Sequence, residues 1–269
     1  MKETLLFHST VLRNIASLFL FGTLIIILQT NHYLLMSVWG ICAWLFFINK
    51  SMRFFIVTTM AFGIGFFLYV YVNSHWITDL NPEEMHIILN RLSLIFLILP
   101  LTAISLIYKL PFMRYWQRPQ WGELVRVPFI LSGFHQSKVS VFLSIAMIIN
   151  LIAFMPFIVN NGWAYIQEIW RFMIIFSIIN SVLEEIIWRG MLLSRFSEHF
   201  GNRWAVMITS IGFGLQHYFL GFSWGSCLVF TLGGLFFGAI TVKSKSIVPA
   251  VIWHMLINAL MVLSGMIIK

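Results

Sequence analysis

The sequence predicts an all-α, polytopic integral membrane protein of about nine transmembrane helices, with its amino terminus inside and its carboxyl terminus outside. Three observations predict this. Of 269 residues, 60% are hydrophobic and only 10% charged, against roughly 25% charged in an ordinary soluble domain. Apolar runs of about 17 to 25 residues, each long enough to cross a hydrocarbon core roughly 30 Å thick, recur along the whole length. Lysine and arginine concentrate in alternate loops, as cytoplasmic loops require.

The runs lie near 14–29, 33–49, 54–72, 88–108, 139–159, 171–193, 204–220, 224–242 and 247–268. Lys2 and Arg13 precede the first, and no small-residue cleavage signature follows it, so it reads as a retained anchor in a chain starting near Met1. With the amino terminus inside, the inner loops hold Lys2, Arg13, Lys50, Arg53, Lys109, Arg114, Arg118, Arg126, Lys138, Arg195, Arg203, Lys243 and Lys245. The outer ends hold Arg91, Arg171 and Lys269, and the acidic loop with Asp79, Glu83 and Glu84 also falls outside. Inner loops facing anionic lipid account for the net charge of +8, and no nucleic-acid partner is needed.

The longest loop, 109–138, mixes basic residues with Trp and Phe as surface-lying membrane segments do. It makes a seam. Residues 1–138 read as amino-terminal spans and a basic cytoplasmic loop, and 139–269 as a membrane domain carrying nearly all the chemistry. Cys42 and Cys227 lie inside apolar runs, against a disulfide framework or a thiolate metal site.

A charge at the bilayer centre costs roughly 2.5 to 3.5 kcal/mol on insertion scales, so those present call for a reason. Glu184, Glu185 and Arg189 sit on the sixth run, His217 on the seventh, and His254 with Asn258 on the ninth. Glu185 and Arg189 are four apart and can pair on one helix face, while Glu184 points elsewhere and shares its face with Asn180. A carboxylate in a low-dielectric site that keeps contact with water suits general-base work. His254 and Asn258 are also four apart, and Phe213 can pack beside His217 in the same spacing. Counted at about 1.5 Å per residue, Glu184 lies roughly 16 Å in from Arg195, His217 roughly 20 Å in from Trp204, and His254 to Asn258 roughly 14 to 20 Å in from Lys245. Three helices thus offer a carboxylate, two imidazoles and an amide at one depth. The Gly234-x-x-x-Gly238 spacing reads as close helix packing.

"EEIIWR" at 184–189, "FGLQH" at 213–217 and "HMLIN" at 254–258 resemble the EExxxR, FxxxH and HxxxN motifs of the CPBP family, which comprises type II CAAX prenyl endopeptidases and bacterial bacteriocin-processing or self-immunity (Abi-like) membrane proteins. Gly190, after the arginine, fits the pattern too. The resemblance covers roughly the last hundred residues. It implies that Glu184 and His217 bind and activate a water that attacks a peptide carbonyl, and that His254 and Asn258 stabilise the oxyanion. Arg189 with Glu185 then props the helix.

The expected activity is glutamate-dependent intramembrane proteolysis of a membrane-associated protein or peptide, by a multi-pass protein of a cell membrane, a prokaryotic plasma membrane given the compact chain. No cofactor is expected. Zinc on Glu184, His217 and His254 is the second choice, since no HExxH pair is present and a carboxylate with an imidazole can activate water without a metal. The alternative function is a non-enzymatic immunity or regulatory protein whose polar cluster holds helices together. A proton or solute carrier is the third, disfavoured because no second half mirrors the polar set.

Overall fold

The computed structural model describes residues 2–30 and 32–268, with the side chains of 10–30, 32 and 34–268. Met1, Lys269 and the side chain of Lys2, which entered the anchor and charge expectations, lie outside the described residues. Helices dominate: α1 (Lys2–Thr30), α2 (Tyr33–Ile48), α3 (Arg53–Val72), α4 (Glu83–Leu92) and α5 (Ile95–Ile107) precede a β-hairpin, β1 (Leu124–Pro128) and β2 (Gly133–Lys138). After it come α6 (Val139–Glu185), α7 (Leu193–Phe200), α8 (Asn202–Gln216), α9 (Trp224–Ser244) and α10 (Val248–Leu263).

Every apolar run read from the sequence falls on helix, yet among the described residues five helical stretches are long and apolar enough to cross a membrane: Thr10–Thr30, Arg53–Ile77, Glu83–Ile107, Val139–Phe200 and Trp224–Ser244. Two reasons account for the difference. Val139–Phe200 has 62 residues, roughly 90 Å of helix, about three hydrocarbon thicknesses, and it contains two of the runs. Its direction breaks at Gly162, whose φ of 77° and ψ of 171° suit a residue without Cβ. Leu34–Ile48 and Val248–Leu263 are apolar but shorter, and α8 has only 15 residues.

The 109–138 segment is more structured than its composition implied. Its hairpin pairs Val125 with Ser137 and Val127 with His135, burying Val125 and Ile130 and leaving Phe129 and Phe134 exposed. The segment before the hairpin is tied to distant helix ends. The Arg114 amide donates to Ser194 Oγ at 3.0 Å, the Gln120 amide to the Ser244 carbonyl at 2.9 Å, and the Ile247 amide to the Tyr115 carbonyl at 3.0 Å. Arg195, read as a loop charge, is buried and donates to the Pro111 carbonyl at 2.7 Å and Ser105 Oγ at 2.8 Å. This segment therefore caps one end of the bundle.

One apolar core runs from α1 to α10. Its centre is Trp188, fully buried, with ring centroids 5.4 Å from Phe62, 6.3 Å from Phe21 and 6.0 Å from Phe213. Helices α8 and α9 meet through small residues: a Cβ on Gly234 would stand 3.0 Å from Ser210 Cα, and one on Gly238 3.2 Å from Val206 Cγ1.

Candidate active site

Glu184 and Glu185 are the last residues of α6, and the chain continues through a π-helical turn, Ile186–Leu192, a feature that often marks functional sites. His217 opens a 3₁₀ turn at the end of α8, and His254 and Asn258 face inward from α10. All five are buried.

The two carboxylates take different partners. Arg189 Nη1 donates to Glu185 Oε1 at 2.7 Å, and Nη2 to the Gly234 carbonyl at 3.3 Å, while the guanidinium lies over Phe213 and Phe237. The same Glu185 oxygen accepts from His254 Nδ1 at 2.8 Å. Glu185 thus holds an imidazole as well as its arginine, beyond the simple ion pair expected. Glu184 is far from isolated: Gln216 Nε2 donates to Oε1 at 2.9 Å, Asn180 Nδ2 to Oε2 at 3.4 Å, and His254 Nε2 stands 3.5 Å from Oε2. Arg91 Nη1 lies 3.7 Å from Oε1 and donates to Asn180 Oδ1 at 3.4 Å. Two carboxylates and two guanidiniums balance in formal charge, which makes their shared burial tenable.

His217 is set apart from this ladder by Phe213. Its Nδ1 donates to the Phe213 carbonyl at 2.7 Å, and because a carbonyl only accepts, Nδ1 carries a proton and Nε2 is the basic nitrogen of the neutral ring. Its ring stacks on Phe230 with centroids 3.9 Å apart, and the Phe213 ring touches both His217 and His254, at 4.9 and 5.7 Å. His217, His254, Asn258, Asn180 and Arg91 line one cavity of about 470 Å³. Asn258 Nδ2 is buried there without a hydrogen-bond partner among the described residues. All the side chains expected from the sequence are brought to one neighbourhood.

Two members were missed. Arg91 was read as a charge at the outer end of a span, yet it is 6% exposed; an arginine within an apolar run is itself the signal that the other buried charges carried. Gln216 sits between the recognised letters of "FGLQH", where local pattern assigns no role. As for a metal, the described residues offer no group of three or more His, Cys, Asp or Glu side chains placed to hold one.

Residues 166–260 match the family model described as type II CAAX prenyl endopeptidase Rce1-like. The match supports the CPBP membrane-protease family. No curated protein and no solved structure matches the chain. The Rce1-like stretch runs from the second half of α6 into α10 and contains Glu184, Glu185, Arg189, His217, His254 and Asn258, but it begins beyond Arg91.

Proposed function

We propose that the chain is a glutamate-dependent intramembrane endopeptidase that hydrolyses a peptide bond of a membrane-associated protein or peptide without a metal. The observation that carries this reading is an unpartnered Asn258 amide on a cavity wall shared with two imidazoles, one of which contacts the Glu184 carboxylate. Glu184 and the basic Nε2 of His217 take the proton of a water that attacks the scissile carbonyl. As the carbonyl oxygen gains charge, Asn258 Nδ2 donates to it, and so does His254 from Nε2 as an imidazolium whose Nδ1–H is held by Glu185. The proton then passes to the leaving amine, so bond cleavage is balanced by one water. Glu185, held by Arg189, orients His254; Asn180 and Gln216 hold Glu184; Phe213 spaces the two imidazoles.

In this reading the chain crosses a prokaryotic plasma membrane about nine times, amino terminus inside, with residues 1–138 as accessory spans and loop and 139–269 as the catalytic membrane domain. Glu184→Gln keeps the side chain's shape and removes the base. Cleavage of membrane peptides in cells producing this variant should fall about 10²- to 10⁴-fold at unchanged protein level. Full activity in the folded variant would favour the non-enzymatic immunity or regulatory alternative. Treatment of active protein with a chelator should leave the rate unchanged; loss reversed by added zinc would overturn the metal-free mechanism.

A further inference from the structure

The two ends of the bundle differ in charge and in access. The segments 49–53, 108–138, 195–203 and 243–247 carry eleven of the seventeen Lys and Arg, and hydrogen bonds tie the 109–123 segment to Ser194, to the end of α9 and to Ile247. The cavity at that face, lined by Phe129, Arg203 and Phe236, holds none of the site residues. At the other end lie Asp79, Glu83 and Glu84, the break at Gly162, the Tyr218–Ser223 turn and the residues after α10; Asn161 Nδ2 donates to the Leu263 carbonyl at 3.1 Å, and Tyr165 to that of Ile268 at 2.9 Å.

A second chamber of about 470 Å³ opens at this acidic end, lined by Asn73, Ser74, Thr78, His86, Asn90 and Arg91. Exposed Ser74, Thr78 and Gly221 form its mouth. It shares Arg91, Phe176, Leu220, Phe222, Met266 and Ile267 with the cavity holding His217, His254 and Asn258, so the chamber and the candidate active site are neighbours across a common wall. Basic loops stay on the cytoplasmic side. The open end is then the extracytoplasmic one.

We propose that the site is served from the extracytoplasmic face: water and the cleaved segment reach it through the Ser74 chamber, and the substrate class is an exported peptide or the extracytoplasmic end of a membrane protein rather than a cytoplasmic tail. This rests on the peptidase reading for its chemistry, but its geometry can be tested without any cleavage assay. In a Cys42→Ser, Cys227→Ser background, single cysteines are placed by Ser74→Cys at the chamber mouth, Leu220→Cys on the shared wall and Ser132→Cys in the hairpin turn. A membrane-impermeant maleimide is added to intact cells and, separately, to inside-out vesicles. In intact cells the first two should label at least about tenfold faster than the third, and the order should invert in inside-out vesicles, because exposure governs thiol reactivity. Labelling of Ser74→Cys and Leu220→Cys from the cytoplasmic side overturns the proposal, as does a Leu220→Cys that reacts from neither side while Ser74→Cys reacts. A protein that labels as expected but loses no cleavage on Glu184→Gln would fail the peptidase reading and keep the outward facing. An active enzyme labelled from inside would do the reverse.

Discussion

Helices α1–α5 and α6–α10 are built of the same oily material, and each buries a polar network of a different kind; the Thr58 and Thr59 hydroxyls of α3 also lack partners, but neither lines the site cavity. In the first set, Tyr69 donates to Asn90 Oδ1 at 3.0 Å, Asn90 Nδ2 to Asn73 Oδ1 at 2.5 Å, and Asn73 Nδ2 to Ser93 Oγ at 2.8 Å. Each group in this relay has a protein partner, so the relay ties α3 to the α4–α5 junction. In the second set, charges are stacked on one another and Asn258 is left with an open donor beside a cavity. A satisfied polar group in lipid holds structure, whereas an unsatisfied one facing a cavity is available for a ligand.

Arg91 crosses this division, and removing it is the hardest test of the contrast. Arg91→Gln leaves Glu184 without its nearest guanidinium and should destabilise the protein by about 3 to 5 kcal/mol, read as a lowered midpoint of thermal unfolding in detergent. The double variant Arg91→Gln, Glu184→Gln should recover most of that loss. Additive losses would mean that Arg91 belongs to the structural relay alone.

Asn258→Ala comes next. It should slow cleavage about 10²- to 10³-fold through kcat, with KM and the unfolding midpoint nearly unchanged, because the lost donor has no partner in the resting protein. A large stability loss would place Asn258 with Asn73 and Asn90 as a structural amide. Gly214→Ala should then cost about 1 to 3 kcal/mol of stability, since its Cβ would run into Thr231 and the Cys227 carbonyl where α8 meets α9. Trp44→Ala on α2, 66% exposed on the outer surface, should move the midpoint least, by under about 0.5 kcal/mol. A larger effect would mean that the outer face of α2, which carries Trp44, has a partner of its own.

Much of the candidate site's buried cluster was legible in the sequence, because lipid makes charge expensive and so makes each buried charge conspicuous. Glu184, Glu185, Arg189, His217, His254 and Asn258 stand out against apolar neighbours, and helix geometry alone pairs Glu185 with Arg189. Arg91 escaped because its nearness to the start of a run allowed it to be placed in water. Gln216 escaped because an uncharged amide beside a histidine carries little cost signal. The hairpin at 124–138 was hidden for another reason: its strands are short, and its segment is held by bonds to residues 80 or more positions away, such as Ser194 and Ser244.

By itself the sequence determined the membrane class, the helical runs, the clustering of basic residues between them and the residues that pay the cost of burial, since each follows from composition, from transfer energy and from the 3.6-residue period along one helix. Only the tertiary structure decided that His254 sits between the two glutamates, that Arg91 from α4 reaches Glu184, and that the chamber lies at the acidic end. Those depend on which helices touch and at what rotation, and contact between segments far apart in the chain leaves no periodic trace in either one.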